Sequence, residues 1–293
     1  MNQLFRLLKY VWQHPLNRGG RLAALQRVAK WQFASRLFAG PIAVPFVEKT
    51  MLFAAQGMTG ATGNWYCGLH EYREMSFVLH LIRPGEHFVD IGANIGSYTI
   101  LAAGGAGAKV TAVEPIPTTF AHLERNIVLN GLTEQTRICM LGLSDCNGSL
   151  KFSLELDTVN HVLSAGEVLP SIDVSVVQLD ELVGDDVPLL IKIDVEGHEL
   201  AVLLGAEKTL ADSRLLAVIM ETNGSGARYD VADDQLLGIM GCHGFSTFGY
   251  DPFARRLVNV NSADGNTIFI RNKAAVEARL ISARKFRLVN GTI

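Results

Sequence analysis

The chain has 293 residues, 48% of them hydrophobic and 19% charged, with a formal net charge of −3. This composition excludes a disordered chain and requires a large apolar core. Residues 1–50 hold eight Lys/Arg against one acid and residues 271–293 hold six against one, so the middle is acidic, which disfavours nucleic-acid binding and suits a cationic ligand.

Residues 1–40 predict two helices broken near His14-Pro15. In the first, Leu4, Phe5, Leu7, Leu8, Val11 and Trp12 share a face, with Arg6, Lys9 and Gln13 off it. Such a helix either packs onto the domain or lies on an anionic membrane, giving a possible peripheral contact through residues 1–36. Pro41 and Pro45 mark an irregular stretch, and the apolar run 37–47 is too short to span a bilayer. No secretory signal is read. The Gly-rich segment 57–68 (GMTGATGNWYCG) reads as a loop or tight hairpin, and 71–82 as a helix stopped by Pro84-Gly85. Four dispersed cysteines without a CxxC pair (Cys67, Cys139, Cys146, Cys242) are expected as free thiols, Cys139 and Cys146 buried, in a reducing cytoplasm.

From residue 87 strands and helices alternate. HFVDIG, KVTAVEP, RICMLGL, PLLIKID and LLAVIME read as strands; SYTILAAG, PTTFAHLERNIVLNG and HELAVLLGAEKTL read as helices. GSLKFSL and residues 171–177 form an inserted antiparallel arm, and GFSTFGY with NTIFI a further antiparallel pair. This spacing predicts an α/β fold with a doubly wound, mostly parallel, Rossmann-like sheet. The divisions expected are an N-terminal helical or loop extension (1–69), a cofactor-binding domain (70–272) and a basic C-terminal helix or tail (273–293).

Residues 88–99 (FVDIGANIGSYT) run from a buried strand through a glycine loop into a helix. Ligands bind at the carboxyl ends of strands beside such turns. A dinucleotide loop reads G-x-G-x-x-G, but Asn94 stands at its second glycine and Ser97 does not supply its third. S-adenosylmethionine has no phosphate to cradle; Asp90 and the amides of Gly92, Asn94 and Gly96 can meet its ammonium and carboxylate. Glu114, at the end of the next strand, is placed to accept from ribose hydroxyls in either cofactor class. Ser144 and Asp145 follow the third strand where adenine would lie, or Asp145 caps the turn before Asn147-Gly148.

DIGANIG, VEP, LSDCNGSL and above all IKIDVEGHELAVLLGA resemble the FkbM-type methyltransferases, over roughly residues 70–222. The resemblance implies a class I methyltransferase fold, S-adenosylmethionine as donor, and O-methylation of a hydroxyl on a sugar, a glycan or glycolipid, or another small metabolite. It also implies that Glu71, upstream of the glycine loop, binds the cofactor's ammonium end. An oligomeric state is not implied.

Lys192, Asp194, Glu196, His198 and Glu199 crowd the end of one strand. Alternation puts Lys192, Asp194 and Glu196 on one side. Asp194 is expected to face the transferred methyl, with Glu196 beside it and Lys192 neutralising a buried acid. Because a carboxylate beside a sulfonium is a weak base, His198, with an ordinary pKa near 6.5, is the better-matched proton acceptor. Catalytic candidates are therefore Asp194, Glu196 and His198. The same residues also suit a plain helix N-terminus. Asp194, Glu221 and Asn223 end adjacent strands and offer oxygens to a magnesium ion, but we expect no metal. Trp65-Tyr66 is a candidate lid or sugar platform, and His161 a candidate substrate contact. The rival readings are a nicotinamide-dependent oxidoreductase and a membrane-associated, nucleoside-binding module without catalysis.

Overall fold

The computed structural model describes residues 3–38, 40–154, 160–164, 166–259 and 265–293. Helices α1 (Gln3–Gln13) and α2 (Arg21–Leu37) are parted by a 3-10 turn starting at Pro15, whose fixed φ and missing N–H end the first helix. The stretch expected to be irregular after Pro41 is instead a hairpin of β1 (Ile42–Pro45) and β2 (Met51–Ala54), with Pro45 tolerated at the strand's end. The segment expected as a loop is helix α3 (Thr59–Cys67). Gly63 faces the His70 ring, where a Cβ would lie 2.5 Å from Nδ1, so tertiary packing overrides the poor helix propensity. Helix α4 (Tyr72–Leu81) follows as predicted.

The alternating region runs β3 (His87–Ile91), α5 (Ser97–Ile100), β4 (Lys109–Val113), α6 (Pro117–Leu129) and β5 (Thr136–Cys139). RICMLGL is not one strand: Gly142–Leu143 leaves as β6 and joins β7 (Gly148–Ser153) and β8 (Ser171–Val177) in a separate three-stranded sheet. That sheet contains the expected antiparallel arm. Then come α7 (Leu179–Val183), β9 (Leu190–Ile193), α8 (Glu199–Leu204), α9 (Glu207–Ala211) and β10 (Ala217–Glu221). The chain ends with α10 (Asp233–Cys242), β11 (Ser246–Asp251), β12 (Arg256–Val258), β13 (Asn266–Ile270), α11 (Lys273–Ser282) and a small hairpin, β14 (Arg287–Leu288) with β15 (Gly291–Thr292).

The main sheet has the order β12-β11-β13-β10-β9-β3-β4-β5. Strands β5, β4, β3, β9 and β10 are parallel; β13 runs antiparallel between β10 and β11. This is the doubly wound α/β sheet read from the sequence. Period-two alternation divides its side chains between two cores. Phe88, Leu190, Ala217 and Ile219 pack on one face; Val89, Ile91, Ile191, Ile193, Val218 and Met220 pack on the other. Both ends of the chain join the first core, through Val11, Val28 and Trp31 and through Leu280, Phe286 and Ile293. From β3 the chain winds outward through β4 and β5, then returns on the other side through β9 and β10. The crevice at the carboxyl ends of β3 and β9 is thus the switch point where such sheets bind ligands. Cys67 is buried and Cys139 half-buried, but Cys146 is exposed, because it sits in the turn into β7 rather than in the strand.

Candidate active site at the switch point

Register sets the chemistry of the crevice. Asp90 of β3 lies beside Lys192 of β9, which lies beside Ile219 of β10. Two residues on, along the same face, stand Asp194 and Glu221. Together with Glu71 and Glu196, the side chains of Asp90, Lys192, Asp194 and Glu221 line a cavity of ≈ 410 Å³, also walled by Asn64 of α3 and Tyr98 of α5. The buried Lys192 ammonium donates to Asp194 Oδ2 at 2.6 Å and lies 4.8 Å from the Tyr98 ring centroid. Tyr98 in turn donates to Glu71 Oε2 at 2.5 Å. Burial works against the lysine's charge, yet the carboxylates of Asp194, Glu71 and Asp90 outweigh it and raise its pKa. Asp90, fully buried, accepts from Thr99 Oγ1 at 2.6 Å; burial lifts its pKa to about 6.

The glycine loop is held by its neighbours. Gly92 and Ala93 donate to the Val113 carbonyl at 3.0 and 2.9 Å. Gly92 adopts φ +74°, and a Cβ there would lie 1.8 Å from the Asp194 carbonyl oxygen, so the loops after β3 and β9 can meet only at glycine. Glu114 binds the other end of the loop: Oε2 accepts from the Asn94 amide at 2.9 Å and Oε1 from the Ile116 amide at 3.0 Å. Burial raises its pKa to about 7 against the lowering effect of those amides. It lines a small side pocket with Gly92, Pro115, Ile116, Phe152 and Val195, continuous in lining with the main cavity through Gly92, Asn94, Asp194 and Glu196. Asn94 and Glu196 both adopt left-handed backbone, φ 51° and 54°, a conformation concentrated at functional sites.

Carboxylate oxygens of Asp194, Glu196 and Glu221 lie within 4.8 Å of one another, close enough to hold a cation between them. Glu221 Oε2 is buried without a hydrogen-bond partner. Burial, then the neighbouring carboxylates of Asp194, Glu196 and Glu199, push its pKa up to about 8. Glu196 rises to about 7 for the same reasons, burial first and then Asp194 and Glu199.

Not every residue singled out in the sequence reaches this cavity. His198 lies 3.2 Å (Nε2) from Ser144 Oγ, which donates to Asp145 Oδ1 at 3.0 Å. This trio forms a separate group, with His198 walling a minor pocket beside Pro115 and Val195, away from Glu221. Burial lowers the His198 pKa. Gly96 caps α5 behind the loop. Tyr66 is buried and Trp65 packs against the core, so that pair is scaffold rather than platform. His161 lies 3.1 Å (Nε2) from Glu167 Oε1 and pins the inserted sheet. Asn223 turns to accept from the Ser225 amide at 2.8 Å, outside the carboxylate cluster. Asn64, whose amide donates to Ser97 Oγ at 3.3 Å, and Tyr98 escaped the sequence reading. Only the i, i+3 spacing of Gly60 and Gly63, a helical period, hinted at α3.

Residues 90–247 match the methyltransferase FkbM domain. The chain belongs to the FkbM methyltransferase family. It is 32% identical over 208 residues to the hexuronic acid methyltransferase AglP of Haloferax volcanii, covering 67% of this chain and 83% of that protein. It is 29% identical over 199 residues to the 31-O-demethyl-FK506 methyltransferase FkbM of Streptomyces tacrolimicus, covering 56% and 74%. Methyltransferase 1 of Beauveria bassiana is 30% identical over 149 residues, 42% of this chain and 60% of that protein. Among solved structures, an rRNA methylase from Streptococcus thermophilus gives a TM-score of 0.41 at 16% identity, covering 68% of this chain and 93% of the other. As a member of that family the enzyme is a methyltransferase whose donor is S-adenosylmethionine, built on the doubly wound, mostly parallel sheet described above.

The site fits that donor. The buried carboxylates suit its cationic end, the Glu114 oxygens each keep a lone pair for a hydroxyl donor, and Gly92 lets the loops after β3 and β9 close against one another beside the cavity.

Proposed function

We propose that this methyltransferase transfers a methyl group to a hydroxyl of a sugar, a glycan or glycolipid, or a comparable small metabolite. The observation that carries this reading is the pairing of Glu196 with the unpartnered Glu221, on the cavity wall next to the Lys192–Asp194 pair. In this reading Glu71 and Asp90 hold the cofactor's ammonium end, the amides around Gly92 and Asn94 its carboxylate, and Glu114 its ribose. The side pocket of Pro115, Ile116, Phe152 and Val195 takes the adenine, with Ser144 and Asp145 behind it. Bound there, S-adenosylmethionine supplies an electrophilic methyl group. Asp194, neutralised by Lys192, positions the reacting groups. Glu221, in its ionised form, accepts the hydroxyl proton; its raised pKa makes it a better base than a free carboxylate. His198, bonded away among Ser144 and Tyr229, orients the cofactor end of the site instead.

Cavity charge narrows the acceptor. Among the described lining residues, Glu71, Asp90, Asp194, Glu196 and Glu221 face one Lys/Arg side chain, Lys192. A negatively charged acceptor meets that field unfavourably. The name of the AglP relative points to a hexuronic acid, whereas this cavity suits an uncharged sugar hydroxyl. Incubation with labelled S-adenosylmethionine and matched neutral and uronic glycosides tests this directly. Label in an alkali-stable methyl ether of the neutral glycoside supports the reading. Label in a carboxyl ester, or preference for the uronate, overturns it.

A further inference from the structure

Eight of the fourteen exposed large apolar side chains among the described residues lie in the first 38 positions. On α2, Leu22, Phe33 and Leu37 are eleven and four residues apart, which places them on one stripe; they are 71%, 69% and 61% exposed, and Phe38 beyond them 65%. On α1, Phe5 and Trp12, seven apart, share a face. The two exposed faces meet where the Arg21 guanidinium lies 5.3 Å from the Trp12 ring centroid. Residues 1–40 contain no acid at all. Arg6, Lys9, Arg18, Arg21, Lys30 and Arg36 are all exposed.

We propose that the exposed faces of α1 and α2 form a docking surface for an anionic lipid bilayer. Large apolar side chains interleaved with long basic ones are the composition of an interfacial helix, the stems entering the acyl boundary while the charges meet headgroups. No described helix is long and apolar enough to cross a membrane, so the contact is with its surface. A second copy of the chain fits this face poorly, because a two-fold pairing would set six cations against six.

The surface is rigid. Val11, Ala24, Val28 and Trp31 anchor its underside in the core. Arg27, the one buried cation of the segment, donates to the Tyr66 carbonyl at 2.7 Å and to Asn17 Oδ1 at 3.1 Å, which locks α2 onto α3. Because α3 also contributes Asn64 to the cavity, docking brings the cavity wall close to the bilayer. That arrangement suits an acceptor carried on a lipid, a consequence that rests on the methyl-transfer reading; docking itself does not.

Flotation of the full chain with phosphatidylcholine vesicles, with and without phosphatidylglycerol, tests the surface without reference to catalysis. The chain should float with the anionic vesicles and be released by salt. The exposed double variants Phe33→Ser with Leu37→Ser, and Lys30→Glu with Arg36→Glu, should each weaken partitioning by about tenfold or more while keeping the parent's far-UV spectrum and S-adenosylmethionine affinity. No flotation, equal flotation with neutral vesicles, or variants that float like the parent would overturn the proposal. So would a dimer in sedimentation equilibrium that both variants abolish while vesicles recruit nothing, since a second copy would then own the face.

Discussion

Lys192 and Asp194 are joined by a 2.6 Å hydrogen bond across one turn of the β9 pleat, with the ammonium almost wholly buried and the carboxylate partly open to the cavity. The pair sets the charge of the whole crevice, because Lys192 is also the neighbour of Asp90 on the adjoining strand.

Lys192→Met should therefore cost more than one ion pair. It leaves Asp90 and Asp194 without their cation, and breaking a buried pair costs about 3 kcal/mol, reduced here because Asp194 is partly solvated. Urea unfolding should show a lower midpoint with an unchanged slope. An unaltered midpoint would mean that solvent already compensates both acids.

Gly92→Ala should abolish cofactor binding and lower stability. The added carbon would meet the Asp194 carbonyl oxygen at 1.8 Å, on backbone at φ +74° that alanine adopts poorly. Neither loop can move without disturbing the β3–β9 ladder. A melt of the variant with and without S-adenosylmethionine checks both effects, and a full ligand-induced shift would contradict them.

Affinity for S-adenosylmethionine should rise with pH. Burial raises Asp90 to about 6 and Glu114 to about 7, so both are partly protonated near neutrality. A cation and ribose hydroxyl donors favour their ionised forms, so binding releases protons, and the gain levels off above about pH 8. The free enzyme shows the opposite trend. Carboxyls whose folded pKa is raised stabilise it fully only below their unfolded values near 4.3, and that contribution fades as pH climbs through about 6 to 8. Calorimetry in buffers of different ionisation enthalpy counts the protons released. Glu114→Gln should weaken binding about tenfold to a hundredfold and remove part of that release.

Glu221→Gln should lower kcat by about a hundredfold or more while leaving S-adenosylmethionine affinity near the parent's. The parent's kcat should climb with pH to a plateau near or above 8, as the raised Glu221 group ionises, and the variant should lose that limb. His198→Gln should keep it. If His198→Gln erases the pH dependence and Glu221→Gln does not, the proton acceptor is the histidine read from the sequence.

Much of the site was legible because its signals are local. The run FVDIGANIGS shows a buried strand, a loop needing glycine and a helix start within ten residues, and the acid at Glu114 follows at the end of the next strand. Alternation placed Lys192 and Asp194 together, since period two is a property of any strand, whereas Glu196 lies past the end of β9 and reaches the same cavity through a turn at φ 54°. Where the reading failed, a distant partner decided. GMTGATGNWYCG looks like a loop until Gly63 is set against His70 and α2 against α3. His198 is better matched than a carboxylate by its ordinary pKa, but Ser144, 54 positions away, draws its ring from the cavity. In the sequence Glu221 is simply an oxygen ligand at a strand end. Its raised pKa comes from burial and from carboxylates on a neighbouring strand and helix.

By itself, then, the sequence determined the alternation of strands and helices from residue 87, the glycine loop after β3 and the acids at the strand ends, because hydrophobic period and turn chemistry act over a few residues. The tertiary structure decided which of those acids share a cavity, which are neutralised and which stay unpaired. Burial and Coulombic coupling depend on distances between segments far apart in the chain, and strand register fixes those distances.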